Sequence, residues 1–351
     1  MKHCFAPVSR HRYIKYIRAG ARWRIYRKPA VLLHHAAHKP VKLFYLLKAA
    51  FCIGGCRYRC RKPGRCRDVF GSRTHALLLL AAGCAREQPA QSDGTLRLVS
   101  TAPNLTECVF AIGAGDLIVG RTEVCDYPPE AVKGVPITGS FGIPWLEPLI
   151  AVRPTHVLET VLSDPAIRDR LTELGLPVVH VQCFRLADIP DAIRQLGTLT
   201  GRETRANALA DDITRGLAEA AAAPPAANRP RVLMLFAPDT PITAGRNAFV
   251  SELLETAGAI NLGRDSTTDY YHISLEWIIG QDPDILLCLF NTTGRPPVSF
   301  FAGQTGWKAL RAVRENRVYT LANLDSACRP GPRVLDGLAQ FQSILTLDAN
   351  R

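Results

Sequence analysis

The chain has 351 residues, of which 47% are hydrophobic and 21% are charged, a composition typical of a folded globular protein. The formal net charge is +12, but residues 1–68 hold 18 Lys/Arg against one acidic residue, whereas the rest holds 25 basic and 30 acidic residues. The main part of the chain thus carries a net charge of −5, so its average field gives no reason to expect nucleic-acid binding.

The basic head, residues 1–68, contains four cysteines within "CIGGCRYRCRKPGRC" at 52–66, and their spacing fits no common zinc finger. An apolar stretch at 41–55 is interrupted by Lys48 and is short for a membrane span of about 20 residues, although a weak anchor there stays open. We expect the head to be disordered or absent from the real protein. A nucleic-acid-binding protein that uses the head is a remote alternative, because it requires the head to persist in the mature chain.

The stretch "VFGSRTHALLLLAAGCAREQPAQSDG" combines basic residues, a short apolar run and a Gly-Cys pair. Over residues 69–83 it resembles a lipoprotein signal peptide, which implies that Cys84 is acylated and becomes the first mature residue. Ala81 departs from that pattern, since leucine is more usual three residues before the cysteine. The polar segment 84–95 predicts a tether for an extracytoplasmic domain that is anchored to a membrane.

Residues 96–199 are predicted to form an N-terminal lobe in which strands and helices alternate. Apolar runs with β-branched residues predict the strands, and Asn104 before Glu107 predicts a helix start. The predicted strands are 95–103, 116–122, 155–160 and 177–183, and the predicted helices are 104–115, a short one at Glu147, and 164–175. Such alternation predicts a parallel sheet with helices on both faces.

Residues 200–229 are predicted to join this lobe to a second one through a single helix. The segment from Gly201 to Ala223 is rich in alanine and free of proline, and about 22 residues of helix reach roughly 33 Å. A stiff helix predicts a fixed cleft with small rocking motions, whereas a Gly/Ser linker would predict independent lobes.

Residues 230–348 repeat the order of the first lobe. Strands are predicted at 230–236, 283–290 and 317–322, and helices at 247–259, 274–281 and 306–316. We therefore expect an α/β fold of two similar lobes, each with a mostly parallel central sheet flanked by helices, joined by one long α-helix.

An internal repeat links the two lobes, because "GIPWLEPLIAVRPTHVL" at 142–158 returns as "HISLEWIIGQDPDILL" at 272–287. Glu147 and Glu276 align, and each is followed after seven residues by a proline. A helix dipole favours a glutamate in the first turn by about 0.3–1 kcal/mol, and Ser274 is a suitable cap, so each glutamate alone has a local explanation. That explanation does not account for the same offset to proline in both lobes.

Four segments, in this order, resemble the substrate-binding proteins of ABC importers for cobalamin, iron-siderophore and haem, the type whose lobes are joined by one long helix. They are "STAPNLTECVFAIGAGDLIVGRTEVCDYPPEA", "GSFGIPWLEPLIAVRPTHVL", "TAGRNAFVSELLETAGAINLG" and "YYHISLEWIIGQDPDILL". The resemblance covers about residues 96–347. It implies that Glu147 and Glu276 pair with arginines of a permease dimer, one glutamate from each lobe.

The resemblance also implies a ligand cleft between the lobes. Its expected lining residues are Tyr127, Phe141, Trp145, Tyr270, Tyr271 and Arg246. Flat rings suit a flat macrocycle, and the alternative for each ring is that it caps the core. Phe110 and Phe341, which lie inside helical patterns, are expected in the core instead.

The aromatic set and the "CDYPP" stretch resemble the cobalamin branch most, and a ferric siderophore or a haem is the alternative ligand. A haem would require an axial ligand, for which Tyr271 or His272 is available, and cations for its propionates. Arg121, Arg246 and Arg295 are the candidate cations, and they could equally pair with an anionic siderophore.

No catalytic constellation is apparent in the sequence. His156, His180 and His272 form no H-x3-H pair, and the chain contains no G-x-S-x-G elbow or P-loop. We predict a monomeric, non-enzymatic binding protein without a metal or cofactor of its own. Its expected partners are the permease, a metal chelate and, through the lipid on Cys84, a membrane.

Overall fold

The structure is a computed structural model that describes residues 95–223, 229–237, 239–292 and 294–350. The basic head, the signal peptide, Cys84 and the tether up to residue 94 lie outside the described residues. Within these ranges, no helix combines the length and the apolar character that crossing a bilayer requires. We keep the names N-terminal lobe for 96–199 and C-terminal lobe for 230–348.

The N-terminal lobe is built on a six-stranded sheet with the order β4-β3-β2-β1-β5-β6. The strands are β1 (Leu98–Ser100), β2 (Ile118–Thr122), β3 (Ile137–Ser140), β4 (Ile143–Pro144), β5 (His156–Glu159) and β6 (Val178–His180). All neighbouring strands are parallel except β3 and β4. The helices are α1 (Pro103–Ala111), α2 (Pro129–Val132), α3 (Leu146–Ala151) and α4 (Ala166–Glu173).

Helix α1 begins at Pro103, one residue earlier than predicted, and strand β1 ends at Ser100, before the proline that was expected to end it. Proline suits the first helical position because its missing N–H would have no partner there and its φ already fits a helix. Asn104 is thus the second residue of α1, and Gly113, with a φ of 75°, ends the turn that follows the helix.

The C-terminal lobe contains a parallel sheet of order β12-β11-β7-β9 and a separate antiparallel pair, β10 with β8. The strands are β7 (Arg231–Leu235), β8 (Ile242–Ala244), β9 (Ile260–Asn261), β10 (Tyr270–His272), β11 (Ile285–Cys288) and β12 (Val318–Thr320). The helices are α7 (Phe249–Thr256), α8 (Leu275–Gln281), α9 (Arg311–Arg314), α10 (Leu324–Cys328) and α11 (Val334–Ala349). The predicted α/β architecture with mostly parallel sheets is confirmed.

The prediction of one helix over 306–316 was wrong. The chain there forms a 3-10 turn at Trp307–Ala309 and, after Leu310 in an extended conformation, the short helix α9. Trp307 and Leu310 are both buried in the apolar cluster of this lobe. Their side chains pack there only because the backbone breaks between them, so burial overrides the helix propensity of the segment.

The N-terminal lobe ends with α5 (Asp188–Thr200), and the connection contains α6 (Glu203–Ala222). Helix α6 confirms the predicted long helix, and its 20 residues span about 30 Å. Helix α5 was not predicted. The two pack together as a hairpin whose turn is Gly201, in the left-handed conformation at a φ of 66°.

Helix α6 contacts both halves of the molecule. Near its start, Arg202 Nε donates to the Gly113 carbonyl at 3.2 Å, just beyond α1. Farther along, a side chain at Gly216 would run into Leu335 of α11, so the two helices approach closely there. The largest apolar cluster accordingly contains residues of both lobes, among them Leu105 and Leu338. Phe341 is buried in that cluster as predicted, and Phe110 packs against it while half-buried.

Candidate functional site

A cavity of about 510 Å³ lies between the two lobes. Its walls are mostly apolar, as in small-molecule binding sites. The N-terminal lobe contributes Pro103, Asn104, Val124, Phe141, Thr160, Val161, Cys183, Phe184 and Arg185, and the C-terminal lobe contributes Asn247, Ala248, Phe249, Asp269, Tyr270, Cys328, Arg329 and Pro330.

A larger, open groove of about 1530 Å³ lies beside the ends of α6, α7 and α11. Charged side chains that line it already bind other groups of the protein. Arg317 binds Asp348 through two hydrogen bonds, and the Arg229 guanidinium donates to the carbonyls of Gly258, Glu255 and Ala259. A ligand there would have to compete with these bonds, so the cavity between the lobes is the better candidate site.

Phe141 and Tyr270, two of the six residues predicted to bind the ligand, line the cavity. Phe141 follows β3, and Tyr270 begins β10. The Tyr270 ring meets Phe236 edge to face, with the ring centroids 5.2 Å apart. This contact fixes the orientation of the ring that faces the cavity.

The other four lie outside the set of described residues that form the cavity wall. Arg333 stacks on Tyr127 at 4.0 Å from the ring centroid, and Tyr271 donates its hydroxyl to Gly263 O at 3.1 Å. Trp145 is exposed before α3, and Arg246 Nε donates to Arg264 O at 3.0 Å. Burial and the charge of Asp265 raise the pKa of Tyr271, so this phenol stays protonated at neutral pH.

The cations considered for an anionic ligand also have intramolecular contacts. Arg121 donates to the carbonyls of Val132, Thr122 and Cys125 at 2.9–3.1 Å, so it stabilises the conformation of the adjoining loop. Arg295 lies over the Phe300 ring at 4.4 Å from its centroid. Neither of them belongs to the described lining of the cavity.

Sequence reasoning missed several lining residues. Phe184 and Phe249 are aromatic rings of the wall, and Arg329 is a cation within it. The signal for Arg329 was present in "CRPGPR", a Gly/Pro-rich segment with two arginines before the last helix. Phe249 was assigned to the interior of a helix, but it is the first residue of α7, much as Asn104 lies at the start of α1.

A buried ion-pair cluster lies behind the Arg329 side of the cavity. Glu107 is 2% exposed, and its carboxylate accepts hydrogen bonds from Arg329 at 3.0 Å and from Arg333 at 2.7 and 2.8 Å. Arg329, which is 9% exposed, also donates to Asp126 at 2.7 Å. Burial alone would lower the pKa of Arg329, but the hydrogen bond to Asp126 and the charges of Asp325, Asp126 and Glu107 raise it above the usual value.

Buried thiols surround the same region. Burial raises the pKa of Cys183 to about 12, and its Sγ donates to the Pro330 carbonyl at 3.1 Å across the lobes. Burial likewise raises the pKa of Cys108 well above its usual value, with the charges of Cys183 and Glu107 adding to the effect. These thiols therefore stay protonated at neutral pH, and within the described residues no disulfide joins any of the five cysteines.

Glu147 and Glu276 are both exposed residues in the first turn of a helix, α3 and α8 respectively. Ser274 caps α8 by accepting the Trp277 N–H at 3.1 Å. The pKa of Glu276 is lowered by its own backbone N–H and by the Ser274 hydroxyl, so the carboxylate is ionised at neutral pH. Large apolar side chains are exposed beside them: Ile143, Trp145 and Ile150 near Glu147, and Ile279 near Glu276.

The chain is similar in sequence to known binding proteins. The vitamin B12-binding protein of Vibrio parahaemolyticus serotype O3:K6 is 28% identical over 254 residues, which cover 71% of this chain and 90% of that protein. The uncharacterized ABC transporter substrate-binding lipoprotein YvrC of Bacillus subtilis is 28% identical over 253 residues, 70% of this chain and 78% of that protein.

Among solved structures, the periplasmic heme-binding protein RhuT from Roseiflexus sp. RS-1 superposes with a TM-score of 0.64 at 27% identity and covers 73% of this chain and 100% of its own. The model of a family of periplasmic binding proteins matches residues 98–324, from the first strand of the N-terminal lobe to the start of α10. The chain therefore belongs to the periplasmic binding protein family.

Proposed function

We propose that the protein is an extracytoplasmic substrate-binding protein that captures cobalamin, or another corrinoid, between its lobes and delivers it to an ABC importer. The observation that carries the proposal is the mostly apolar cavity between two repeated lobes, with Phe141 on one side and Tyr270 on the other. Relatives named vitamin B12-binding protein, which match over nearly the whole described chain, support the same ligand.

The charges of the cavity favour a nearly neutral chelate over haem. A haem has two propionates that need cations, and the two arginines in the described wall, Arg185 and Arg329, already bind carboxylates of the protein. Cobalamin is nearly neutral and already fully ligated, so aromatic and apolar walls suffice for it. Haem stays the second candidate because of the likeness to RhuT, and a ferric siderophore is the third.

Docking to the permease is assigned to Glu147 and Glu276. Each carboxylate is exposed at the start of a short helix, and the internal repeat gives each lobe one of them. Apolar side chains exposed beside the two carboxylates supply surface that a protein partner would bury. A dimeric permease has two equivalent sites, which matches one carboxylate per lobe.

A lipid on Cys84 would hold the protein at a membrane, and YvrC, a relative described as a lipoprotein, supports this. We expect mass spectrometry of the native protein to find a mature chain that begins at an acylated Cys84, with no peptide from residues 1–83. Recovery of peptides from 1–68 in the mature protein would contradict both the cleavage and the view that the head is absent. It would also favour the nucleic-acid-binding alternative.

No enzymatic role is proposed. Within the described ranges, no group of three or more His, Cys, Asp or Glu side chains is arranged to hold a metal ion. The relatives named above are binding and transport proteins. We assign the protein the capture and transfer of an intact ligand, and the monomeric state stays a prediction.

Titration of the purified protein with cyanocobalamin, a ferric siderophore and haemin tests the proposed ligand. We expect binding of cyanocobalamin in the micromolar range or tighter, about −8 kcal/mol or better, measured by tryptophan fluorescence or calorimetry. The Tyr270→Ala variant should bind cyanocobalamin more weakly, because a ring of the wall is lost. Tight binding of haemin or the siderophore alone would refute the cobalamin assignment and select the corresponding alternative.

A further inference from the structure

Glu107 and Glu252 hold equivalent positions in the two halves of the repeat. Each lies on the first long helix of its lobe, α1 or α7, and each precedes a Gly-Ala pair by six residues. Glu107 receives three hydrogen bonds from Arg329 and Arg333, which belong to the loop before α11 in the opposite lobe. A carboxylate of the N-terminal lobe therefore holds a segment of the C-terminal lobe.

Glu252 makes the reciprocal contact. Its carboxylate pairs with Arg185 and accepts the backbone N–H of Leu186 at 2.9 Å. Both partners belong to the loop before α5 in the N-terminal lobe, the counterpart of the loop before α11. A carboxylate of the C-terminal lobe thus holds a segment of the N-terminal lobe, and the two contacts mirror each other.

The two segments that are held in this way also form cavity wall. Residues 183–185 and 328–330 all line the cavity, as do the starts of α1 and α7, three residues before Glu107 and Glu252. Each carboxylate therefore lies directly behind the wall and connects the helix start of one lobe to the lining loop of the other.

We propose that Glu107 and Glu252 are positioning residues for ligand binding, acting as two reciprocal latches that fix both lining loops against the opposite lobe. The ligand used below rests on the proposed function, but the latches themselves do not. A wall that is already fixed before the ligand arrives costs less ordering on binding, so the latches raise affinity without touching the ligand.

The two latches differ in burial and therefore in strength. Glu107 is 2% exposed between two arginines that are 9% and 11% exposed, so water does not compete for its bonds. Glu252 is 19% exposed and its partner Arg185 is 44% exposed, so this pair is screened by solvent and separates more readily. The Glu252 latch is therefore the weaker of the two.

Hydrogen exchange without any ligand tests the latch. In the full-length protein, Glu252→Ala should speed amide exchange in residues 183–188 of the opposite lobe, because the Leu186 N–H loses its acceptor. Glu252→Gln, which keeps an oxygen at that place, should restore part of the protection. The matched control is Glu255→Ala, one turn along α7, whose carboxylate pairs with Arg264 of its own lobe at 3.6 Å. Equal exchange in 183–188 for Glu252→Ala and wild type would overturn the latch.

Affinity for cyanocobalamin tests the positioning role. We expect Glu252→Ala to weaken binding about tenfold, mainly through faster release, with partial recovery in Glu252→Gln and no change in Glu255→Ala. If Glu252→Ala speeds exchange in residues 183–188 but binds cyanocobalamin as tightly as wild type, the positioning role is wrong. The cavity wall would then be loosened without any effect on affinity. If wild type itself does not bind cyanocobalamin, the proposed ligand is wrong, and the exchange measurement still decides the latch.

Discussion

Replacing Glu107 with alanine will lower the free energy of unfolding by about 3–5 kcal/mol, the usual cost of removing one partner from a buried ion pair. The change leaves Arg329 and Arg333, both about nine-tenths buried, without the carboxylate that receives three of their hydrogen bonds. Asp126 still pairs with Arg329, but it is largely exposed and cannot replace a buried charge. Urea unfolding followed by tryptophan fluorescence measures the loss as a lower midpoint.

An exposed ion pair provides the control for this experiment. Glu130 of α2 pairs at 2.7 Å with Lys133, the residue that follows the helix, and both side chains are mostly exposed. Glu130→Ala should therefore change the free energy of unfolding by less than about 1 kcal/mol. If Glu107→Ala costs no more than Glu130→Ala, the buried cluster does not hold the lobes together, and the account given for it is wrong.

Reversing both surface charges, Glu147→Arg together with Glu276→Arg, will abolish uptake of the ligand by cells while ligand affinity stays unchanged. On the proposed docking, in which each carboxylate pairs with an arginine of the permease, each contact would then join two like charges, and such juxtapositions cost several kcal/mol each. Both residues are exposed on short helices and lie outside the described lining of the cavity. Uptake of labelled ligand and calorimetry on the purified protein measure the two effects separately.

Single reversals should reduce uptake partially, since one docking contact remains. Glu219→Arg is the matched control, because Glu219 is also exposed but lies on α6 and not on either helix of the repeat. It should transport like wild type. Loss of ligand affinity in the double variant, or equal loss of uptake in Glu219→Arg, would count against docking through these two carboxylates.

The sheets were predictable because their central strands are short apolar runs between turn signals. Buried strands such as β7 and β11 are continuous hydrophobic segments in the sequence. The same order of strands and helices occurs in both lobes, which supports each assignment. Strands β8 and β10 were not predicted, and they pair only with each other, antiparallel and outside the parallel sheet. Whether so short a segment becomes a strand depends on the segment it pairs with, and the sequence pattern does not identify that segment.

Helix α5 was missed for a different reason. It contains Pro190 and Gly197, which normally argue against a helix interior. Pro190 falls in the first turn, where a missing N–H is tolerated, and Gly197 lies against Ala206 of α6, where a larger residue would not fit. Close packing between α5 and α6 therefore decides the conformation, and local propensity does not.

The candidate site was only partly predictable from sequence. Loop position predicted that Phe141, Tyr270 and Tyr127 face a cleft. Phe141 and Tyr270 line the cavity, whereas the Tyr127 ring packs under Arg333. The burial of Glu107 could not be foreseen, because its partners lie more than 200 residues along the chain. Pairs that distant leave no spacing pattern in a single sequence.

The long sequence separation between Glu107 and its arginine partners affects the order in which the chain folds. Glu107 and Arg333 are 226 residues apart, and the main apolar cluster likewise combines early and late segments. A polypeptide that emerges from its amino end first exposes Glu107 long before the arginines that neutralise it. Glu107 in the first lobe therefore has no ion-pair partner until the chain has been made up to the start of α11. Because forming these pairs closes so long a loop, they form late in folding.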